Sequence, residues 1–369
     1  MLPSRLQPFR SLAAIGLAAL CGCQPAASVK VAFIGSPSGR VSELAIEGRD
    51  GAQLAVETLN QRAGPRYELH LHDDAHAGAQ PADAIDAAAD EGDAFAVGPM
   101  TSVDAQGIVA EAGRRRLVLI SPTANSDDLR GIDDYFFRVI PTAGMGARQF
   151  AEAAIARGLR TAAIMTDSRN RAYSESFAQS FADRYVALGG SLGRIAHDET
   201  SENPDYAKVA AALLSTRPQV VLLICSTPDA SVVAHQLHRR DPAPQLEIAS
   251  WAANLKLLQL GGAAVEGALV LQALDLDSQA PAYVDFRDRF TARFGGAPSQ
   301  AALFSYEAVM LGAEGLRRKT DTQSLRDALR TPGQWAGLQQ PLVLDRFGDS
   351  TSRFRLSEIR GGRFMMLPT

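Results

Sequence analysis

The sequence predicts an α/β protein of two successive lobes, each an open, mostly parallel sheet with helices on both faces. Three observations predict it. Short apolar runs alternate with stretches of helical period along nearly the whole chain, the order that builds a parallel sheet with crossover helices. The alternation pauses at Tyr135-Phe136-Phe137-Arg138-Val139 and then restarts, which divides it in two. The chain, at 369 residues, is too long for one hydrophobic core, and its hydrophobic content of 46% is enough for two.

The first 24 residues stand apart from this pattern. Arg5 and Arg10 precede a small apolar run, Ser11 to Leu20. Such a run is too short to cross a hydrocarbon core of about 30 Å and reads as an export signal. Leu20-Cys21-Gly22-Cys23 resembles a lipobox, and the lipid is expected on Cys23, because bulky Leu20 directly precedes Cys21. The expected segments are a lipoprotein signal peptide at 1–22 and a tether at 23–28. Gln24, following the acylated cysteine, favours attachment to the outer membrane. Removal of Cys21 and acylation of Cys23 leave Cys225 as the remaining thiol, so no internal disulfide is expected.

Val29 to Ile34 reads as a buried strand ending at Gly35. Gly48 to Gln61 reads as a helix, with Ala52, Ala55, Val56 and Leu59 spaced for one face. Strand Tyr67 to His72, helix Ala79 to Glu91, strand Ala94 to Val97, helix Asp104 to Arg114 and strand Leu117 to Ile120 follow. After the pause come helix Ala147 to Arg157, strand Thr161 to Met165, helix Glu175 to Leu188 and strand Gly190 to His197. Helix Pro204 to Ser215, strand Val220 to Cys225, helix Ala230 to Arg239 and strands Glu247 to Ser250 and Ala268 to Gln272 complete the second unit. Helices return at Pro281 to Phe294 and Gln300 to Lys319. The tail from Leu342 to Met366 alternates apolar residues between Gly-containing turns and reads as antiparallel strands.

In open parallel sheets, ligands bind outside the carboxyl ends of the strands. The loops after Ile34, Val97 and Ile120 therefore share one rim, and those after Met165, Ile224 and Ala249 share another. A cleft between facing rims is the expected site, and hinge closure the expected motion. The charge balance, 37 basic against 41 acidic residues, and the lack of basic–aromatic interleaving exclude a nucleic-acid partner.

The loop sequences carry a family resemblance. Gly35-Ser36-Pro37-Ser38-Gly39, Glu47-Gly48 with Gly51 to Val56, and Asp73-Asp74 come first. Gly98-Pro99-Met100-Thr101-Ser102, Ser121-Pro122-Thr123-Ala124-Asn125, Asp167 through Tyr173, and Gly261-Gly262 with Glu266-Gly267 follow in register. Together they resemble type I periplasmic solute-binding proteins, specifically the branched-chain amino acid (Leu/Ile/Val-binding) group of ABC transporter substrate-binding proteins, over nearly all of residues 29–369. The resemblance implies two Rossmann-like lobes joined by a multi-strand hinge, with the ligand in the interlobe cleft. Lobe one would comprise 29–140 and 273–347, and lobe two 141–272 and 348–369. It implies a non-enzymatic, extracytoplasmic protein without cofactor that closes on a small polar solute, an amino acid or related carboxylate, and delivers it to an ABC importer permease. A ligand sensor that presents the closed form to a membrane receptor or kinase is the alternative on the same fold.

By that resemblance, the loops carrying Thr101 and Ser102 and carrying Thr123, Ala124 and Asn125 hold the ligand's carboxylate, since hydroxyls and main-chain N–H groups both donate to an anion. Tyr173 closes over the ligand from lobe two, where Thr227 and Trp251 complete the expected contacts. Two departures from the group matter. The acidic residue that takes the ligand's ammonium is missing from Ser250-Trp251-Ala252-Ala253, and Leu44 falls near an aromatic position. A buried ammonium without an anion is costly. Either the ligand lacks an α-ammonium, or another residue, such as Asp229 or Glu43, accepts it. Trp251 offers a ring face to an aromatic or cationic ligand.

Rival chemistries are weaker. Ser102 is not in a Gly-x-Ser-x-Gly elbow, which argues against a hydrolase, and Cys225 ends an apolar strand with no positioned base in view. His70, His72 and His76 with Asp73 and Asp74 look like metal ligands, but their spacing fits no familiar zinc motif, and no metal is expected.

Overall fold

The computed structural model describes residues 28–38, 42–74, 81–197, 204–240 and 243–368. The expected signal segment, Cys23 and His76 lie outside the described residues.

The first sheet is built from β1 (Val29–Ile34), β2 (Tyr67–His72), β3 (Phe95–Val97), β4 (Leu119–Ser121) and β5 (Phe136–Arg138), in the order β2-β1-β3-β4-β5. All neighbours are parallel. Their crossovers are α1 (Ser42–Asn60), α2 (Pro81–Glu91) and α3 (Ser102–Arg115). After α4 (Ala143–Ala156) the second unit runs β6 (Thr161–Thr166), α5 (Arg171–Ala187), β7 (Ser191–His197), α6 (Tyr206–Leu214), β8 (Val220–Ile224), α7 (Thr227–His238), β9 (Gln245–Ile248), α8 (Leu255–Gly261) and β10 (Leu269–Gln272). Helices α9 (Pro281–Phe294), α10 (Gln300–Arg318) and α11 (Leu325–Arg330) follow, then the small ribbon β11 (Gln334–Trp335) with β12 (Leu342–Val343). Finally β13 (Arg355–Arg360) pairs antiparallel with β10, and β14 (Arg363–Met366) with β13, giving the order β14-β13-β10-β9-β8-β6-β7.

Strands covered on both faces must be apolar on both, as β8 and residues 31–34 of β1 are. In β8, Val220, Leu222 and Ile224 enter the core between the layers, while Val221 and Leu223, followed by Cys225, enter a second core on the sheet's other face. Likewise Val31 and Phe33 of β1 face one core, and Ala32 and Ile34 the other. Cys225 is thus a buried structural thiol.

After β10 the chain returns to the first lobe, where α10 lies against α1. The approach is close enough to require Gly51: a Cβ there would stand 2.0 Å from the Ala302 carbonyl oxygen. The chain then enters the second sheet again at β13. A buried ion pair ties this last passage to the first: Arg138 of β5 reaches Asp349 through Nε at 2.8 Å and Nη2 at 2.5 Å, and donates through Nη1 to the Ser126 carbonyl at 2.7 Å. The two open, mostly parallel sheets with helices on both faces that the sequence predicts are both observed.

Several boundaries differ from the sequence expectation. The pause at residues 135–139 contains β5, a short strand in parallel register with β4. Helices α1, α4 and α7 begin earlier than expected, and α11 has no counterpart in the sequence reading. In α4, Gly144 and Gly146 are helical, and they are glycine because neighbours fill the space of a side chain: Asp127 beside the first, Leu271 and Phe354 beside the second. Among the described residues, no helix is long and apolar enough to cross a membrane.

Candidate functional site

The carboxyl ends of β3 and β4 form the first wall. Gly98 opens the loop after β3 with φ +130°, and its Cα lies so near the Ile34 carbonyl that a Cβ would approach it to 2.3 Å, so glycine alone fits there. Thr101 then caps α3, accepting from the Asp104 N–H at 3.2 Å. The first residue of α3 is Ser102. Its Oγ accepts from the backbone N–H groups of Asn125 and Ser126, each at 3.1 Å. Ser121 braces the same loop, donating to the Pro99 carbonyl at 2.7 Å and accepting from the Ala124 N–H at 2.9 Å. Thr123 donates to the Met100 carbonyl at 2.5 Å, and Asn125 donates through Nδ2 to the Pro141 carbonyl at 3.0 Å. Two strand-end loops are thus tied into one rim at the N-terminus of α3, where the helix dipole favours an anion.

The opposing wall comes from α5 and the turn after β9. Tyr173 is buried and meets Trp251 edge to face, with ring centroids 6.1 Å apart and planes at 81°; it meets Phe177 similarly at 5.9 Å. Ser250 and Trp251 lie in a short 3-10 turn. Gln300, at the start of α10, donates to the Ser250 carbonyl at 2.9 Å, and Ser176 of α5 accepts from the Asp127 N–H at 3.0 Å. These bonds join the two walls.

Between the walls lies a cavity of about 20 Å³, room for about one water. Leu44, Met100, Ile140, Tyr173 and Trp251 supply its apolar and aromatic lining. Thr123, Asn125, Asn170, Ser250 and Gln300 supply the polar atoms, and the Asn170 Oδ1 is buried without a hydrogen-bond partner. No Asp, Glu, Lys, Arg or His side chain lines it among the described residues. An adjoining chamber of about 50 Å³ shares Leu44, Trp251 and Gln300 and adds Glu43, Glu47, Thr227 and Asn254. A larger depression of about 1050 Å³ lies at the amino ends of β8 and β9, against Gln219 and Gln245, the end of the sheet at which ligands are not expected.

Of the residues singled out from sequence, Thr123, Asn125, Tyr173 and Trp251 meet at the central cavity, and Thr227 lines the adjoining chamber, its Oγ1 accepting from Asn254 Nδ2 at 2.8 Å. Thr101, Ser102 and Ala124 stand behind the rim as its supports, with Ser102 only 1% exposed. Gln300, Asn170 and Ser250 were not singled out. Asn170 and Ser250 sit inside quoted loop stretches, while Gln300 arrives from a remote helix with no motif around it.

The two acids offered as ammonium partners already have partners of their own. Asp229 is 1% exposed and already engaged by Arg169, by the Tyr206 hydroxyl and by Ser226 Oγ at 2.8 Å. Burial would raise its carboxyl, but the hydrogen bonds from Tyr206, Arg169 and Ser226 outweigh burial and hold it below the usual aspartate range. Glu43 is paired with Lys256. Glu47 lines the adjoining chamber beside Glu43, and its carboxyl is raised by burial, with a hydrogen bond from Ser299 opposing.

Comparison with known proteins gives one consistent result. The family profile described as Periplasmic binding protein matches residues 28–363. The Leu/Ile/Val-binding protein BraC3 of Rhizobium johnstonii is 24% identical over 359 residues, covering 92% of this chain and 94% of its own. Among solved structures, the leucine binding protein LivK of Thermotoga maritima superimposes with a TM-score of 0.82 at 20% identity, covering 92% of this chain and 98% of its own. A solute binding protein of an R. palustris ABC transporter, solved in complex with benzoate, superimposes with a TM-score of 0.81 at 19% identity, covering 92% and 96%.

Proposed function

Because the chain belongs to the periplasmic binding protein family, we propose that it is the extracytoplasmic substrate-binding lipoprotein of an ABC importer, anchored through Cys23, outer membrane favoured, and closing its lobes on a small carboxylate. The observation that carries this reading is the convergence of Thr123 and Asn125 from one lobe with Tyr173 and Trp251 from the other around one cavity. A ligand held by groups from both lobes favours the closed state by its differential affinity for it, and the closed form is what a permease distinguishes.

The lining narrows the ligand class. A carboxylate fits the rim at the N-terminus of α3. Ser102 supports this, because a hydroxyl that accepts two N–H bonds still has its own hydrogen to donate. An α-ammonium has no carboxylate to meet in the central cavity, since Asp229 is engaged behind it. The ligand we propose is therefore a small carboxylate with an apolar or aromatic body and no α-ammonium, its body against Trp251 and Tyr173. An amino acid is the second reading. It would have to direct its ammonium into the adjoining chamber toward Glu47.

Native mass spectrometry of freshly purified protein tests the function. A co-purified carboxylate, released on denaturation and rebinding with one molecule per chain, is the expected result. A covalently altered product formed from an added ligand would argue for an enzyme instead.

A further inference from the structure

On the edge strand β2, His70 and His72 point the same way, as alternate residues of a strand must. The end of α2 and the loop after it bring Glu91 and Asp93 to them, a meeting that local spacing in the sequence does not foreshadow. His70 Nδ1 lies 3.1 Å from Glu91 Oε2 and 3.1 Å from Asp93 Oδ1, and His72 Nε2 lies 3.2 Å from Asp93 Oδ2. One candidate ligand atom from each of the four residues lies within 4.8 Å of every other.

We propose that His70, His72, Glu91 and Asp93 form a site for a four-coordinate divalent transition cation, with zinc as the best fit. Two imidazoles and two carboxylates make a donor set that zinc accepts in tetrahedral geometry. A tetrahedron with arms of about 2 Å has edges of about 3.3 Å, near the three measured separations. The remaining separations are no more than 4.8 Å, so at most about 1.5 Å has to close, and Glu91 has a half-exposed side chain free to adjust.

A plain histidine–carboxylate ion pair is the competing account, and one observation goes against it. The Asp93 side chain is wholly buried, yet its Oδ1 has no hydrogen-bond partner, and neither has His70 Nδ1, although the two atoms face each other at 3.1 Å. Buried polar atoms left this way are costly, and a cation between them would satisfy both, whereas the ion pair satisfies only the other Asp93 oxygen, which is hydrogen-bonded to His72 Nε2 at 3.2 Å. The surroundings hold the site in shape. The Asp93 N–H donates to the Ala88 carbonyl at 3.0 Å, and Lys30 Nζ donates to the Glu91 carbonyl at 2.9 Å, fixing the end of α2. None of the four residues lines the interlobe cavity, so this site stands independently of the ligand assignment.

The test is calorimetric titration of untagged, chelator-dialysed protein with zinc sulfate, with magnesium as control. We expect one zinc per chain at micromolar Kd or tighter, no magnesium binding, and a visible absorption band of four-coordinate geometry with cobalt(II). His72→Gln should weaken zinc binding by more than the roughly 10–100-fold that losing an outer partner costs. Glu91→Gln, a change at an exposed side chain, should weaken it at least tenfold while leaving the metal-free melting temperature unchanged, so it decides the matter should His72→Gln fold poorly. No zinc binding to the wild type, or undiminished binding in Glu91→Gln and in His70→Gln, would overturn the proposal.

Discussion

Ser102 Oγ lies 3.1 Å from the backbone nitrogen of Asn125 and accepts its hydrogen, so the start of α3 and the loop after β4 are held as one unit. This makes Ser102 structural as well as a prospective ligand donor, unlike a hydroxyl that is solvated whenever the cleft opens. Ser102→Ala should lower ligand affinity roughly ten- to a hundred-fold, the cost of about 1.5–3 kcal/mol for a bond to a charged group. It should also lower ligand-free stability by about 1–3 kcal/mol, because two buried N–H groups lose their acceptor. Calorimetry and denaturant unfolding read the two effects separately. Lost affinity with unchanged stability would mean that the loop does not need this hydroxyl.

Closure is the expected response to ligand, since the bonds joining the walls, Gln300 to Ser250 and Asp127 to Ser176, pass from one lobe to the other. Small-angle scattering of ligand-stripped protein should give a larger radius of gyration than the structure, and ligand should reduce it. An unchanged radius at saturation would point to a preclosed site.

Glu307 of α10 is buried, and burial pushes its carboxyl up to about 7, although the Leu338 N–H, donating at 2.6 Å, works in the opposite direction. The native state then keeps a proton that the unfolded chain releases near the ordinary value of 4.5. The resulting stability is complete below that value and is lost as pH rises toward 7, by roughly 1–3 kcal/mol. Glu307→Gln keeps an acceptor for Leu338 and cannot ionise, so its stability relative to wild type should rise between pH 5 and pH 8 in denaturant melts. Parallel pH profiles would show that the carboxyl titrates normally.

Lipidation is read from Leu20 to Cys23. Palmitate labelling in cells should mark the wild type and not Cys23→Ser. Equal labelling of the two would remove the anchor.

The long buried strands were legible because covering both faces makes them apolar on both, as β8 and residues 31–34 of β1 show. β5 was not, because it is three residues long and ends in Arg138, whose burial depends on Asp349 more than two hundred residues away. The early turn of α4 was hidden by Gly144 and Gly146, which mimic a loop but serve close packing. Of the cavity-lining residues, Thr123, Asn125 and Tyr173 lie within the motif stretches, and Trp251 stands at a position where the family pattern is departed from. Gln300 was not legible, since only the return of α10 to the first lobe brings it to the cleft.

The central claim is that the cleft is built for a carboxylate without an α-ammonium. The most direct measurement is a pair of calorimetric titrations of ligand-stripped protein with L-leucine and with 4-methylpentanoate, which share a carbon skeleton and differ by the ammonium. With no carboxylate in the central lining to meet that charge, 4-methylpentanoate should bind at least about a hundredfold more tightly, a difference of roughly 2.7 kcal/mol. Tighter binding of L-leucine would contradict the account and place an anionic partner, Glu47 first, against the ligand.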